Sequence, residues 1–570
     1  MKNTLVARIL YEVADLLELG GVPFKPRAYR RAARAVEDCP TSIEDLVAEG
    51  RVRELPGVGE AIAAKIAEIV ATGKLRLHEE LKAQLPVDLR ALTAVDGVGP
   101  KRAKLLYETL GVRTLGDLER VAREGRIREV KGLGEKTEEK IRRGLEEARR
   151  GEVRLLLGRA LPRARDLCAR LLATGLFERI EPAGSLRRGK ETVGDLDLLA
   201  LSDRPEEAVD AFCSLPEVAE VLARGPTRAS VRLADGVQAD LRLVPRESFG
   251  AALQYFTGSK EHNVRLRERA VARGLKLSEY GLFDREGRAI AGEDEAGVYR
   301  ALGLAYIPPE LREDGGEIGA AERGELPRLL ELGEVAFDLH VHTRDSDGEM
   351  TLEDLVGAAR RRGLRGLAIT DHLKFAAAIP GLTPDDLRRQ IERVRRIGET
   401  AGLRLLTGVE ANIARNGSVD VPRDLLRDLD LVIASVHTHL RLGRAEMTER
   451  LVRAVEDEGV DVLGHPTGRL LGERPACEAD WDEVFRRAAK AGTALEVNAH
   501  PQRLDLPWDL IRRALGHGVV LAIGTDAHLE PHLDYLELGV LTARRGWATA
   551  KDLLNTQSGE RILSARKRGR

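Results

Sequence analysis

The 570 residues are too many for one hydrophobic core, so several domains are expected. Hydrophobic residues make up 43%, charged residues 32%, and the formal net charge is -2, which excludes a disordered or membrane-embedded chain. No apolar run reaches the length of a membrane span, the N-terminal stretch MKNTLVARILYEVADLLELGG is amphipathic and carries acids, and Cys39, Cys168, Cys213 and Cys477 form no CxxC pair, so a cytoplasmic protein with reduced thiols in its core is expected.

The near-neutral total hides a split. Basic residues are in excess over 1–150 and again in the tail RILSARKRGR, whereas acids are in excess over 311–560. Only His78 and His262 precede residue 331; the other ten of the twelve histidines follow it. The chain therefore reads as a half that faces nucleic acid joined to an acidic, histidine-rich half. High Arg and Glu with only three Met suit a heat-adapted source, and a GC-rich genome gives the same bias.

Residues 1–50 read as helices. One of them carries Lys25, Arg27, Arg30, Arg31 and Arg34 around Tyr29, a pattern that a solvated helix face shares with a nucleic-acid contact. A repeat follows. ELPGVGEAIAAKIAEIV (54–70), AVDGVGPKRAKLLYETLG (94–111) and EVKGLGEKTEEKIRRGL (129–145) each run apolar, x, Gly, apolar, Gly, helix. The glycine pairs Gly57/Gly59, Gly97/Gly99 and Gly132/Gly134 predict tight turns whose N–H groups, with the next helix N-terminus, receive a phosphate without reading a base. Three copies point to helix-hairpin-helix contacts with the DNA backbone; a repeat used only for packing is the competing reading.

A helical stretch (152–174) leads to GSLRRGKETVGDLD (184–197) and a strand, LDLLALS. Alternate strand residues share a face, so Asp195 and Asp197 point the same way and repel each other unless a cation sits between them. With the Gly-Ser turn and Arg187, Arg188 and Lys190 just upstream, this predicts metal-assisted phosphoryl transfer over a solvated surface turn. Next, TRASVRLADGVQADLRLVP alternates like a hairpin, and Asp240 is an acid inside an apolar strand. A buried unpaired carboxylate is costly, so Asp240 needs a cation or a donor. Residues 249–283 read as a helix, a YFTGS turn and an arginine-studded second helix. Tyr255 and Phe256 at the turn suit packing on a sugar and base, and equally a core.

GSLRRGKETVGDLD, QADLRLV and YFTGSKEHNVRLR, preceded by the Gly-x-Gly hairpins, resemble the DNA polymerase X family over roughly residues 1–312. The resemblance implies two catalytic Mg²⁺ ions held by Asp195 and Asp197, with Asp240 as the third carboxylate, at the primer 3′-hydroxyl. It implies that Ser185, Arg188 and Gly194 hold the incoming triphosphate and that Tyr255, Phe256 and Gly258 pack its sugar. Asn263 and Arg267 would contact the nucleotide and the minor groove, and Lys260, where eukaryotic relatives have an acid, would strengthen nucleotide binding. Lys65 falls on the Schiff-base lysine of a 5′-deoxyribose-phosphate lyase, and Lys25 and Tyr29 also match. Phe24 and Ala61 replace polar residues of that pocket, so the resemblance leaves the lyase open.

In the second half, FDLHVHTRDSDGEMT (337–351) places His340 and His342 two apart at a strand end, with Asp347 in the following loop. Further acids and imidazoles end apolar, strand-like runs: His372, Glu410, His437, His465, Asp526 and His528. Strand, ligand, helix, repeated, describes a barrel with its ligands at the C-terminal strand ends. Mixed nitrogen and oxygen donors suit Zn²⁺, Mn²⁺ or Fe, and nine candidates imply two or three ions able to activate water and clamp a phosphodiester. HxHTxxSDG, TDH and GTDAH resemble the polymerase-and-histidinol-phosphatase (PHP) domain over about 335–570. Joined to a family X polymerase, that domain implies a metal-dependent 3′–5′ exonuclease that also acts at abasic sites. His439 reads as an accessory group, and His500 and Arg503 as phosphate contacts.

The expected architecture is multidomain. Helical helix-hairpin-helix domains span 1–80 (lyase-like) and 81–150, an α+β nucleotidyltransferase palm 151–247, a nucleotide-selecting thumb 248–312, a linker 313–333, and an α/β distorted TIM-like barrel 334–570. The expected function is gap-filling DNA repair synthesis with end trimming, in a nucleoid-associated monomer that takes gapped or damaged duplex DNA and dNTPs. The rivals are a polymerase whose PHP domain is only structural, a non-catalytic DNA-end scaffold, and a small-molecule phosphoesterase activity in the second half.

Overall fold

The computed structural model describes all residues except 1, 20–21, 23–24, 38–42, 56, 85–86, 88–91, 94, 96, 150–153, 375–380 and 565–570. Phe24, Cys39 and the basic tail from residue 565 thus lie outside the described residues. Contacts divide the chain into two units, Met1–Glu152 and Val153–Arg570.

The first unit is helical. Its apolar helix faces close two cores, one around Leu10, Val36, Ile62 and Ile66, the other around Leu106, Leu118, Ile127 and Ile141. The three repeats fold alike. Gly57, Gly97 and Gly132 hold φ of 72°, 92° and 91°, which any other residue adopts only with strain. The N–H groups of Val58, Val98 and Leu133 then donate to the carbonyls of Leu55, Val95 and Val130 at 3.1, 2.9 and 2.9 Å. Gly59 and Gly99 cap helices Glu60–Thr72 and Pro100–Leu110 without a side chain. A Cβ at Gly59, Gly99 or Gly134 would meet nothing within 4 Å, so these helix N-termini face open space, as the repeat predicts.

The second unit begins with a five-stranded sheet. Asp195–Leu201 lies between Arg179–Pro182, antiparallel, and Gln238–Leu243, parallel; Arg228–Leu233 and the edge strand Val218–Gly225 follow. Helices Leu157–Ala173 and Pro205–Cys213 cover one face, burying Leu167, Leu171, Phe212, Leu196, Leu198 and Leu241 together. The expected helix-turn-helix over 249–283 forms as Phe249–Thr257 and Lys260–Ala272. It ends earlier than the sequence suggests: Gly274, at φ 71°, reverses the chain, and Lys276–Ser278 pairs antiparallel with Gly281–Phe283. The stretch 313–333, expected as a linker, contains helix Glu317–Arg323 and buries Leu329 and Leu330.

Seven parallel strands follow, in sequence order from Phe337–Val341 to Leu521–Gly524. The first and last are joined where His342 N–H donates to Ala527 and Asp526 N–H to His340, both at 2.9 Å, nearly closing a barrel. Phe337, Leu339, Leu406, Ile433, Val462 and Ile562 form an apolar cluster of their own. Helices such as Leu352–Arg361 and Pro384–Gly398 start from Thr-Asp capping boxes and cover the outside. Among the described residues no helix is long and apolar enough to cross a membrane. Cys168 and Cys477 are buried free thiols, pushed up to about 12 by burial, while Cys213 is only half-buried.

Candidate metal centres

Alternation along Asp195–Leu201 sends Leu196 and Leu198 into the core and leaves Asp195 and Asp197 on the other face. The parallel register sets Asp240 opposite Asp197. One carboxylate oxygen from each of Asp195, Asp197 and Asp240 lies within 4.8 Å of the others, so the predicted triad assembles. Ser230 donates its hydroxyl to Asp240, and Gln238 Nε2 donates to it at 2.9 Å. Burial, then the charges of Asp195 and Asp240, raise Asp197 to about 7, against the pull of Arg188 and Arg242. Three acids this close, repelling one another more than Arg188 and Arg242 draw on Asp197, form a donor set that suits a divalent ion. Gly184 has φ 61°, and a Cβ there would sit 2.1 Å from Asp197 Oδ2; the Gly of the Gly-Ser turn is what lets the strand carry Asp197 beneath the loop.

Ser185 lies in the one-turn helix Gly184–Arg187, beside Asp197, and Gly194 precedes the strand. Arg188 is buried; its Nη1 donates to the Thr257 carbonyl at 2.6 Å and its Nε to Glu313 at 3.0 Å. It thus ties the phosphate-side loop to the YFTGS turn. There Tyr255 and Phe256 meet edge to face at 5.1 Å, and Asn263 donates to the Tyr255 carbonyl at 2.7 Å. Lys260 and Arg267 are exposed on the next helix. Arg242, which the sequence reading passed over, stacks on Phe256 at 4.4 Å. In the first unit, Lys25, Tyr29 and Lys65 line one cavity of about 730 Å³.

In the barrel all nine candidates converge. Glu410 sits at the centre. Its Oε1 lies 3.0 Å from His465 and 3.2 Å from His437; its Oε2 lies 3.0 Å from His372, 3.4 Å from His340 and 3.6 Å from His342. Asp526 Oδ1 is 3.3 Å from His342 and 3.7 Å from His528, and Asp347 Oδ2 is 3.4 Å from His528 and 3.6 Å from His372. Three overlapping sets of donors lie close enough to share an ion. Two imidazole nitrogens, His340 Nε2 and His342 Nε2, face each other at 3.1 Å, and buried His342 Nδ1 has no hydrogen-bond partner, an arrangement that suits cations between the rings. Burial opposes charge on Glu410 and Asp526, yet the surrounding imidazoles hold both carboxyls well below their usual range. His465 and Asp526 adopt φ of 26° and 55°, backbone strain of the kind functional sites retain.

Several supporting groups were missed. Buried Glu496 accepts from His340 Nδ1 at 2.6 Å and from the His465 N–H, fixing the His340 ring so that Nε2 faces the cluster. Asp371 gathers Thr343, Ser346 and Gln390. Asn498 donates to Asp526 at 3.1 Å. Glu496 is an acid in an apolar strand, the signal that singled out Asp240. Arg503 lies 3.4 Å from Asp526, at the site; His500 packs on His532 and Tyr535; the His439 side chain is exposed.

Comparison with known families gives four stretches of the chain a class. Residues 1–75 match a helix-hairpin-helix domain, 89–147 a SAM-like helix-hairpin-helix tandem, 252–313 the DNA polymerase beta thumb and 338–500 the PHP domain. The fold and its two carboxylate-bearing centres thus define a polymerase-type chain fused to a PHP barrel. It is 36% identical over 568 residues to the DNA polymerase/3′-5′ exonuclease PolX of Bacillus subtilis (strain 168), covering 99% of each chain, and it belongs to the PolX family. The chain is also similar to a probable phosphatase of Syntrophotalea carbinolica, at 34% identity over 28% of this chain and 64% of that protein. A probable phosphatase of Caldicellulosiruptor saccharolyticus is 30% identical over 34% of this chain and 80% of its own length.

Proposed function

We propose that the chain is a DNA repair polymerase that fills short gaps at the Asp195–Asp197–Asp240 site and trims 3′ ends, and incises abasic sites, at the barrel site. The observation that carries the reading is the pairing, in one chain, of a three-carboxylate centre beside a polymerase-type thumb with a nine-donor centre at the mouth of a PHP barrel. When bound, divalent cations supply charge neutralisation and Lewis-acid polarisation of phosphate oxygens at both centres. Asp195 and Asp197 would hold two Mg²⁺, and Asp240 one of them while drawing the proton from the primer 3′-hydroxyl. Ser185, Arg188 and Gly194 bind the triphosphate. Tyr255, Phe256 and Gly258 pack the sugar, Lys260 and Asn263 steady the nucleotide, and Arg267 reaches the minor groove. The helix N-termini after Gly59, Gly99 and Gly134 grip DNA phosphates, so binding weakens as salt rises.

In the barrel, His340, His342, Asp347, His372, Glu410, His437, His465, Asp526 and His528 would hold two or three Zn²⁺ or Mn²⁺ ions, and Arg503 would orient the scissile phosphate. The cavity shared by Lys25, Tyr29 and Lys65 favours a 5′-deoxyribose-phosphate lyase as well; borohydride trapping of a Lys65-dependent adduct would test it. We read the protein as a cytoplasmic, nucleoid-associated monomer with domains bounded near residues 80, 150, 247, 312 and 333. The decisive experiment incubates one gapped, 3′-labelled duplex with and without dNTPs. Extension with nucleotides and resection without them is expected; neither reaction from the wild type would favour a non-catalytic end scaffold.

A further inference from the structure

The helix Leu536–Arg545 belongs to the barrel, yet it packs on the polymerase half. Leu538, and Leu504 nearby, share one buried cluster with Leu157, Leu167, Leu171 and Leu186 of the palm. Gly189, the residue after Arg188, turns with φ 66°, and a Cβ there would lie 3.6 Å from Leu541 and 3.7 Å from Arg545. At the helix end, Arg545 is 2% exposed. Its Nη1 donates to the carbonyl of Arg188 at 2.8 Å and to Glu313 Oε1 at 3.2 Å, the same oxygen that accepts from Arg188 Nε at 3.0 Å. Its guanidinium also lies 5.4 Å from the centre of the Trp508 ring.

Burying a guanidinium is costly unless acceptors are aimed at it, and here both acceptors belong to, or touch, Arg188. The charge count matters. Glu313 beside Arg188 offsets its charge, and Lys190 offers Glu313 only a distant contact, at 3.9 Å from a half-exposed ammonium. Arg545 shares Glu313 at closer range, so Arg188, Arg545 and Lys190 face one carboxylate and the loop keeps a net positive charge. Burial favours a neutral Glu313, but Arg188 and Arg545 outweigh it and keep the carboxylate charged.

We propose that Arg545, a residue of the nuclease barrel, is a positioning residue of the polymerase site: it fixes the Arg188 loop and leaves the Arg188 charge available to the nucleoside triphosphate. The proposal rests on the reading of Arg188 as a triphosphate contact given above. It makes the barrel part of the nucleotide site, not an appended second enzyme.

The test compares full-length Arg545→Met, Arg545→Lys and the control Arg165→Met. The control cuts an ion pair to Glu537 on the same helix, away from Arg188. Single-nucleotide gap filling is measured for KM and kcat, Mn²⁺-dependent 3′ resection is measured on the same preparations, and Mg²⁺–dNTP binding is titrated without DNA. Arg545→Met should raise KM and weaken nucleotide binding about tenfold, the cost of a lost charged contact, with kcat and resection within about twofold of wild type. Arg545→Lys should recover part of the loss and Arg165→Met should match wild type. Unchanged KM and nucleotide binding in Arg545→Met, or an equal rise in Arg165→Met, overturns the proposal. If Arg545→Met fails to fold, Arg545→Lys reads the same quantity, and wild-type KM there overturns it. A wild type that binds nucleotide but fills no gap sinks the polymerase reading while the binding comparison still decides this one; a wild type that binds no nucleotide sinks both.

Discussion

The two centres solve opposite electrostatic problems. The palm offers three carboxylates on two neighbouring strands of an open sheet, where burial and mutual repulsion outweigh the pull of Arg188 and Arg242 on Asp197. The barrel offers a buried carboxylate, Glu410, ringed by five imidazoles, with the sixth, His528, beside Asp347 and Asp526. On the proposed reading, the first would take its cations along with a triphosphate, and the second would keep its own, because imidazole nitrogens bind transition ions tightly. Donor chemistry would then separate a centre that assembles with substrate from one that stands ready.

Breaking one centre should spare the other. Asp197→Ala should lower gap filling by on the order of a thousandfold, the worth of several kcal/mol of lost charge stabilisation, and leave 3′ resection intact. Asp526→Ala should do the reverse, and parallel assays on one labelled gapped duplex show both. Loss of both activities in either variant would mean the centres are not independent. Brief chelation gives the next largest effect. Gap filling should return as soon as Mg²⁺ is restored, whereas resection should stay low until Mn²⁺ or Zn²⁺ is supplied.

The barrel's dependence on orientation is subtler. Glu496→Gln keeps the shape but loses the carboxylate that anchors His340, so resection or metal affinity should fall about 10- to 100-fold with gap filling unchanged. The palm's dependence on charge shows in pH. Asp197 is raised to about 7, so below that pH its carboxyl carries a proton that a cation must displace, and above it no such competition remains. The Mg²⁺ concentration for half-maximal gap filling should therefore rise about tenfold as pH falls from about 8 to about 6, the effect of one such proton. A flat Mg²⁺ requirement would remove Asp197 from the metal site.

The residues of both centres were legible for one reason: an acid or imidazole at the end of an apolar strand is too costly to be idle. Asp195, Asp197, Asp240 and most of the nine barrel positions carry that signal; Asp347, in the loop after Phe337–Val341, was legible from the motif around it. Glu496 carries the signal too and was passed over, because an acid in mid-strand, in ALEVN, fits no ligand motif. The Arg188–Glu313–Arg545 contact could not be read at all. Arg188 and Arg545 are 357 residues apart in sequence, and an arginine among many reveals nothing of its burial. The stretch after residue 313 read as a linker from its acids and glycines, while its anchors, Leu329 and Leu330, act through partners distant in the chain. The early end of the second thumb helix depends on Gly274 alone, one residue against a strongly helical composition.

The most direct test of the contrast is metal content. Wild type, Asp197→Ala and Asp526→Ala are dialysed against metal-free buffer and analysed for bound transition metal. The contrast predicts that wild type and Asp197→Ala retain more than one ion per chain and that Asp526→Ala loses most of it, while none of the three retains Mg²⁺. A wild type that keeps no transition metal, or an Asp197→Ala protein that loses as much as Asp526→Ala, would contradict it.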